Sequence, residues 1–192
     1  MPSSESTNHP HHQLTYIFLN VLRGELSEEE KEVVDSIQPY YEEAKYRPGE
    51  AVFVKNTHPD AFFIVLQGSV AVPSDRKGST PLMIRSGAGT VQSTQSLSSS
   101  NLLRMDDGHH KRQVSVESFH QAGGIFGYCD FLLERYRTFD AVAASSDGAT
   151  VAMFTRANMN AMKKDNPPVY AITQKLLLRA SLMDLANCTC NN

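Results

Sequence analysis

From Lys45 onward the chain is built of short apolar pieces cut by turn signals. In KYRPGEAVFVKNTHPDAFFIVLQGSVAVPS, the pieces AVFV, FFIVL and SVAV are rich in β-branched and aromatic residues, and RPGE, NTHPD and QG divide them. Pro, Asn, Asp and Gly supply the backbone angles that tight reversals need. Three short strands at this spacing predict an antiparallel all-β sandwich or roll. Gly49 and Gly68 follow from the positive φ such turns demand. The pattern returns later: RQVSVESF alternates Val114 and Val116 with polar residues, and FDAVAAS and ATVAMFT flank the turn SSDG. About eight short strands are expected in all.

Helical signals flank this β region. Ser27 and Glu30 form an S-x-x-E capping box, with acidic residues crowding the first turn, where the helix dipole favours them. Val33, Val34 and Ile37 continue a helical stripe that Pro39 ends. The spacing predicts two short helices, one before Gly24 and one over about 28–38. Near the C-terminus, Thr155 caps TRANMNAMKKD, and Asn166 caps a longer helix with Pro167 at its first position. There Val169, Ile172, Leu176, Ala180 and Met183 make one apolar stripe, and Leu178, Leu182 and Leu185 a second. A helix apolar on two faces packs on its own domain and on something else: another copy, or a neighbouring domain.

The domain boundaries follow. Residues 1–13 are polar, carry His9, His11 and His12, and read as a disordered tail. Residues 14–187 form a single domain and 188–192 a tail. Residues 74–112 are rich in Ser and Gly and read as a mobile insertion between two strands, open to phosphorylation. The His109, His110, Asp106 and Asp107 group in that flexible insertion and the C-x-C of Cys188 and Cys190 on a fraying tail are only weak signals of a metal site.

Composition narrows the function classes. A net charge of −3 gives no basic footprint for nucleic acid, and no DNA-reading helix-turn-helix follows the last helix. The apolar runs are far shorter than the roughly 20 residues of a membrane span, and three cysteines suit a reducing, cytoplasmic compartment. No two histidines share a strand, no Ser-His-Asp or Cys-His arrangement stands out, and Cys129 reads as packed in apolar surroundings. An enzyme is not expected, nor a bound metal or cofactor.

The stretch GGIFGYCDFLLERYRTFDA, residues 123–141, carries the chemistry. A phosphodiester is held by exposed backbone N–H groups beside glycines and by an arginine fork that donates two hydrogen bonds at once. Gly127 opens a helical turn and Arg137 returns on its far side. With YRPGEAVFVKNTHPDAFFIVLQGSVAV before it, this stretch resembles the cyclic-nucleotide-binding domain family over most of residues 40–185. The shared features are the FG at Phe126 and Gly127 and an arginine ten residues after Gly127, as in the family's phosphate-binding cassette F-G-E-x-A-L-x(4)-P-R-[TA]-A. The resemblance implies a mostly β fold with flanking helices: an antiparallel β-roll of the jelly-roll type, with α-helices at both ends. It also implies ligand-binding roles for Phe126, Gly127, Tyr128, Cys129, Arg137 and Thr138. DFLLERYRTFDAVAA is in addition similar to the C-terminal cytoplasmic domain of SulP-type sulfate permeases.

Four positions depart from the family pattern. Tyr128 stands where the family has its ribose-binding glutamate, and Asp130 where a small residue faces the phosphate. Tyr136 replaces the proline, and Asp140 falls where Thr or Ser sits near the base. Asp130 and Asp140 therefore read as antagonistic to a phosphate. An unmet buried hydroxyl costs about 1–3 kcal/mol and a like-charge pair up to about 4 kcal/mol. Since micromolar binding is about −8 kcal/mol, cAMP and cGMP are expected to bind weakly or not at all. Arg137 is expected to pair with Asp130 or Asp140. The expectation is a non-catalytic regulatory module acting through protein contacts of its terminal helices, attached to a transporter at the cytoplasmic face of a membrane or to another partner. The alternative is a sensor that binds a cyclic nucleotide or another small anion at Arg137 and the Gly127 amide loop.

Overall fold

Antiparallel pairing joins every strand among the residues that the computed structural model describes, which are 10–22, 26–74, 102–105 and 112–189. The strands are β1 (Glu42–Tyr46), β2 (Ala51–Phe53), β3 (Ala61–Ser74), β4 (Leu102–Met105), β5 (Arg112–Gln121), β6 (Ile125–Phe126), β7 (Ala141–Ala143) and β8 (Ala149–Thr155). Helices α1 (Pro10–Val21) and α2 (Glu28–Val34) precede them, α3 (Tyr128–Leu132) interrupts them, and α4 (Arg156–Asp165) and α5 (Pro167–Thr189) follow. The result is a curled antiparallel roll with helices at both ends, as the sequence predicts.

Strand β3 makes the curl. Its first half pairs with β8 and β6, Phe62 facing Phe154 and Phe63 facing Phe126. Its second half leaves for β5 and β7, Val70 facing His120 and Ala143. The register shifts between Val65 and Gln67, and Gly68 follows at φ +77°, where a Cβ would lie 2.2 Å from the carbonyl of Gly148. FFIVL and SVAV are therefore one bent strand, not two divided by a reversal: QG supplies a bulge that turns the strand from one sheet into the other.

Alternation along β3 buries both of its faces. Phe62, Ile64 and Leu66 face the helices, where they join Leu14, Phe18, Phe154, Met162 and Leu176. Phe63, Val65 and Val70 face the roll interior with Phe126, Ala141 and Val151. Phe62 and Phe154 stack with ring centroids 4.8 Å apart. Each fully buried side chain of this size contributes about 1.5–3 kcal/mol.

The capped helices form where their caps predict. Ser27 and Glu30 close their box, and Glu30 also holds Lys175 of α5 at 2.7 Å. Thr155 closes a second box with Asn158. Several boundaries move. The first helix begins at Pro10, before the expected start at Leu14, and the second gives way to a 3-10 segment, Asp35–Tyr40, that contains Pro39. Glu42–Tyr46, only partly inside the β-rich region expected from Lys45, is an edge strand on β8. Leu102–Met105, assigned to the mobile insertion, pairs with β5. Residues 75–101 and 106–111 of the insertion, with Asp106, Asp107, His109 and His110, lie outside the described residues, as do His9, Cys190 and the side chains of His11, His12 and Cys188. The last helix continues through Thr189, past the expected boundary at 187. On it Val169, Ile172, Leu176 and Ala180 are buried, whereas Met183, assigned to the same stripe, is exposed along with Leu178, Leu182 and Leu185. Among the described residues no helix is long and apolar enough to cross a membrane.

Candidate ligand site

Gly127 joins β6 to α3 with φ +70°, a left-handed conformation that costs a side-chain-bearing residue about 1 kcal/mol or more. Space excludes a side chain as well: a Cβ there would sit 2.8 Å from Arg137 Nη1 and 3.1 Å from Phe53 Cε1. The glycine is required because the guanidinium lies against its backbone.

Arg137 is only 2 % exposed. Its Nη1 donates to the Gly127 carbonyl at 2.6 Å, and its Nη2 donates to the Ala61 carbonyl. The guanidinium carbon lies 4.2 Å from the centre of the Phe53 ring, a cation–π contact, with Phe63 at 5.8 Å. Among the described residues the Nε–H has no partner. The backbone at 137 is held too, its N–H donating to the Thr57 carbonyl and its carbonyl accepting from Asn56, both at 2.9 Å. Burial lowers the guanidinium pKa, and the more distant charges of Asp130 and Asp60 oppose that shift. The expected ion pair of Arg137 with Asp130 or Asp140 is not formed; two carbonyls and an aromatic face receive the cation instead.

Both aspartates are used elsewhere. Asp130, 8 % exposed, accepts from Arg135 Nε at 2.7 Å, from Thr138 Oγ1 at 3.0 Å and from the Thr138 backbone N–H at 3.2 Å. Burial alone would raise its pKa, but the bonds from Arg135 and Thr138 outweigh that and hold the carboxyl below its ordinary value. The carboxylate braces the turn that carries Arg137. Asp140 is exposed and accepts the Lys55 backbone N–H at 2.6 Å, lacing the end of the cassette to the loop after β2.

The helical periodicity of α3 separates its residues. Tyr128 and Phe131 face the helix-side core, and Cys129 faces outward. Cys129 is thus exposed and not apolar-packed, because it falls off the buried face of a single turn. Desolvation in that turn, helped by the carboxylates of Asp184 and Asp130, raises its thiol pKa against the pull of Tyr128. Tyr128 is 3 % exposed and belongs to the cluster outside the roll, whereas Arg137 lies against Phe53 and Phe63 inside it. Its hydroxyl donates to Asp184 Oδ2 on α5, and burial followed by this bond pushes the phenol well above its ordinary pKa. His120 stacks on Phe126 at 5.4 Å with Nε2 3.0 Å from Ser118 Oγ; burial lowers its pKa, and the charge of Asp184 partly offsets this.

Of the predicted site residues, Phe126, Gly127 and Arg137 meet at the roll interior. Tyr128 and Cys129 do not join them, and Thr138 serves Asp130. Sequence reasoning missed Phe53, Phe63, the Ala61 carbonyl, Arg135 and Asp184. Asp184 did carry a signal, since it is the next position after Ala180 on the buried stripe of α5. Among the described residues no group of three or more His, Cys, Asp or Glu side chains could hold a metal ion.

No protein-family model matches the sequence, and no curated protein does. Solved structures do match by shape. A cyclic nucleotide-binding domain from Methylobacillus flagellatus superposes with a TM-score of 0.63 at 14 % identity, over 92 % of this chain and 79 % of that one. The N-terminal domain of a transcriptional regulator from Streptomyces coelicolor superposes with a TM-score of 0.53 at 12 % identity, over 91 % of this chain and 95 % of that one. The fold is that of cyclic nucleotide-binding domains.

Proposed function

We propose that this chain is a non-catalytic regulatory module whose cassette has turned its ligand groups inward, leaving cAMP and cGMP bound weakly or not at all. One observation carries this reading: the groups a nucleotide would need are already spent. Arg137 donates to Gly127 and Ala61, and Tyr128, at the ribose position, donates to Asp184 outside the roll. A ligand must replace bonds the protein already makes, so its net gain is small. The output then passes through protein contacts of the terminal helices. Leu178, Leu182 and Leu185, each more than half exposed along one face of α5, support that route. Attachment to a sulfate-permease-type transporter at the cytoplasmic face of a membrane is the finer form of the proposal; it rests on the run DFLLERYRTFDAVAA alone.

A second reading has its own support. A buried guanidinium whose Nε–H has no partner among the described residues, and which pairs with neither Asp130 nor Asp140, is suited to a cyclic nucleotide or another small anion. Calorimetric titration with cAMP and cGMP, beside an Arg137→Lys variant, separates the two. Dissociation constants of about millimolar or weaker are expected, corresponding to no more than roughly −4 kcal/mol. Micromolar binding that Arg137→Lys removes would overturn the first reading and establish the second.

A further inference from the structure

Helix α5 outruns the core it packs on. Its buried stripe ends at Ala180, and residues 182–186 are all exposed. At about 1.5 Å per residue, the turns after Ala180 extend more than 10 Å beyond the last buried contact of the stripe. Unsupported helix ends fray, opening with a free energy near zero. Within this stretch Asp184 reaches back across the sequence to the hydroxyl of Tyr128.

We infer that Tyr128 and Asp184 form a latch that docks the end of α5 onto the cassette turn, independently of any ligand. Three observations carry it. The Tyr128 ring is buried in the helix-side cluster with Phe131, so the hydroxyl is presented from a fixed platform. The acceptor is a carboxylate, which makes the bond charge-assisted and stronger than a neutral one. The donor keeps its proton throughout the ordinary pH range, because burial and the Asp184 bond both raise the phenol pKa. Since α3 begins one residue after Gly127, whose carbonyl holds Arg137, the latch joins the roll interior to the helix that carries the exposed leucines. Leu178, Leu182 and Leu185 are thereby held in one orientation relative to the roll.

Amide hydrogen exchange on the full chain without nucleotide tests the latch in Tyr128→Phe and Asp184→Asn variants. Tyr128→Phe removes only a hydroxyl, and Asp184 is a surface residue, so at least one variant retains the fold. Exchange over residues 178–189 is expected to quicken on the order of tenfold in each variant, the β-roll remaining unchanged. The double variant should quicken it no further than either single change. Unchanged exchange in both variants, an equal rise throughout the chain, or fully additive effects in the double variant would each overturn the latch. Nucleotide affinity plays no part in the readout, so the calorimetric result and this one fail separately.

Discussion

Arg137 and Asp130 are both buried charges of one short segment, α3 and the loop after it, and the protein treats them differently. Asp130 is answered by a cation, a hydroxyl and a backbone N–H, all from residues 135–138. Arg137 is answered by two carbonyls and a phenyl face, and one of its donors is unused. Burying a charge is costly unless hydrogen bonds replace its water. By that standard the aspartate is complete and the arginine is not. A residue that looks antagonistic to a phosphate in the sequence instead builds the turn that carries the arginine. Asp130 and Thr138 fix the loop on either side of Arg137, so the complete site supports the incomplete one.

The largest effect is expected at the contact between the arginine and the backbone. Gly127→Ala places a methyl group 2.8 Å from Arg137 Nη1 at a positive φ, so strain and displacement of the guanidinium add together. A loss of about 2–4 kcal/mol is expected in denaturant unfolding. Loss below about 1 kcal/mol would mean that the guanidinium moves freely and is not held by the Gly127 carbonyl.

Next in size is Asp130→Ala, which removes the carboxylate behind three hydrogen bonds. Arg135 is largely exposed and its share is modest, so about 2 kcal/mol is expected, with Asp130→Asn recovering part of it. The pH dependence has a defined sign. A carboxyl held below its ordinary value stabilises the fold above its unfolded pKa, and that contribution is lost as pH falls through the folded one. Stability of the wild type should therefore drop below about pH 4, and Asp130→Asn should reduce that drop. An unchanged acid limb would mean that the carboxylate does not brace this loop.

What the sequence made legible was local or spaced by a motif. Ser27 with Glu30, Thr155 with Asn158, and Asn166 before Pro167 mark helix starts because a cap and its target lie within one turn. Gly127 and Arg137 could be placed together at the roll because the cassette that this stretch resembles holds both. The failures were of a different kind. Asp130 chose Arg135 over Arg137 because the turn after α3 folds Arg135 back; sequence distance allows either partner. Tyr128 faces α5 because the single turn of α3 presents residues 128 and 131 to the helices, which also turns Cys129 outward. Its partner Asp184 is 56 residues away, a contact set by packing alone. QG marked a change of direction correctly, but a bulge inside a strand and a reversal between strands use the same residues.

The smallest expected effect is at His120, which lies between the two regions, stacked on Phe126 from the roll and within the field of Asp184 from the helix. Burial lowers its pKa below the ordinary 6.5, with Asp184 opposing. The unfolded chain therefore takes up this proton first, and stability falls as pH drops from about 6.5 toward the lowered folded value. The neighbouring charges matter to this sign: loss of Asp184 removes a charge that favours the protonated ring. Asp184→Asn should thus steepen the decline between pH 7 and 5, whereas His120→Phe should flatten it, with the ring stack on Phe126 retained. Thermal unfolding across that interval reads both. A decline that persists unchanged in His120→Phe would assign it to other groups. A decline that Asp184→Asn makes shallower would mean that the helix carboxylate disfavours the protonated ring.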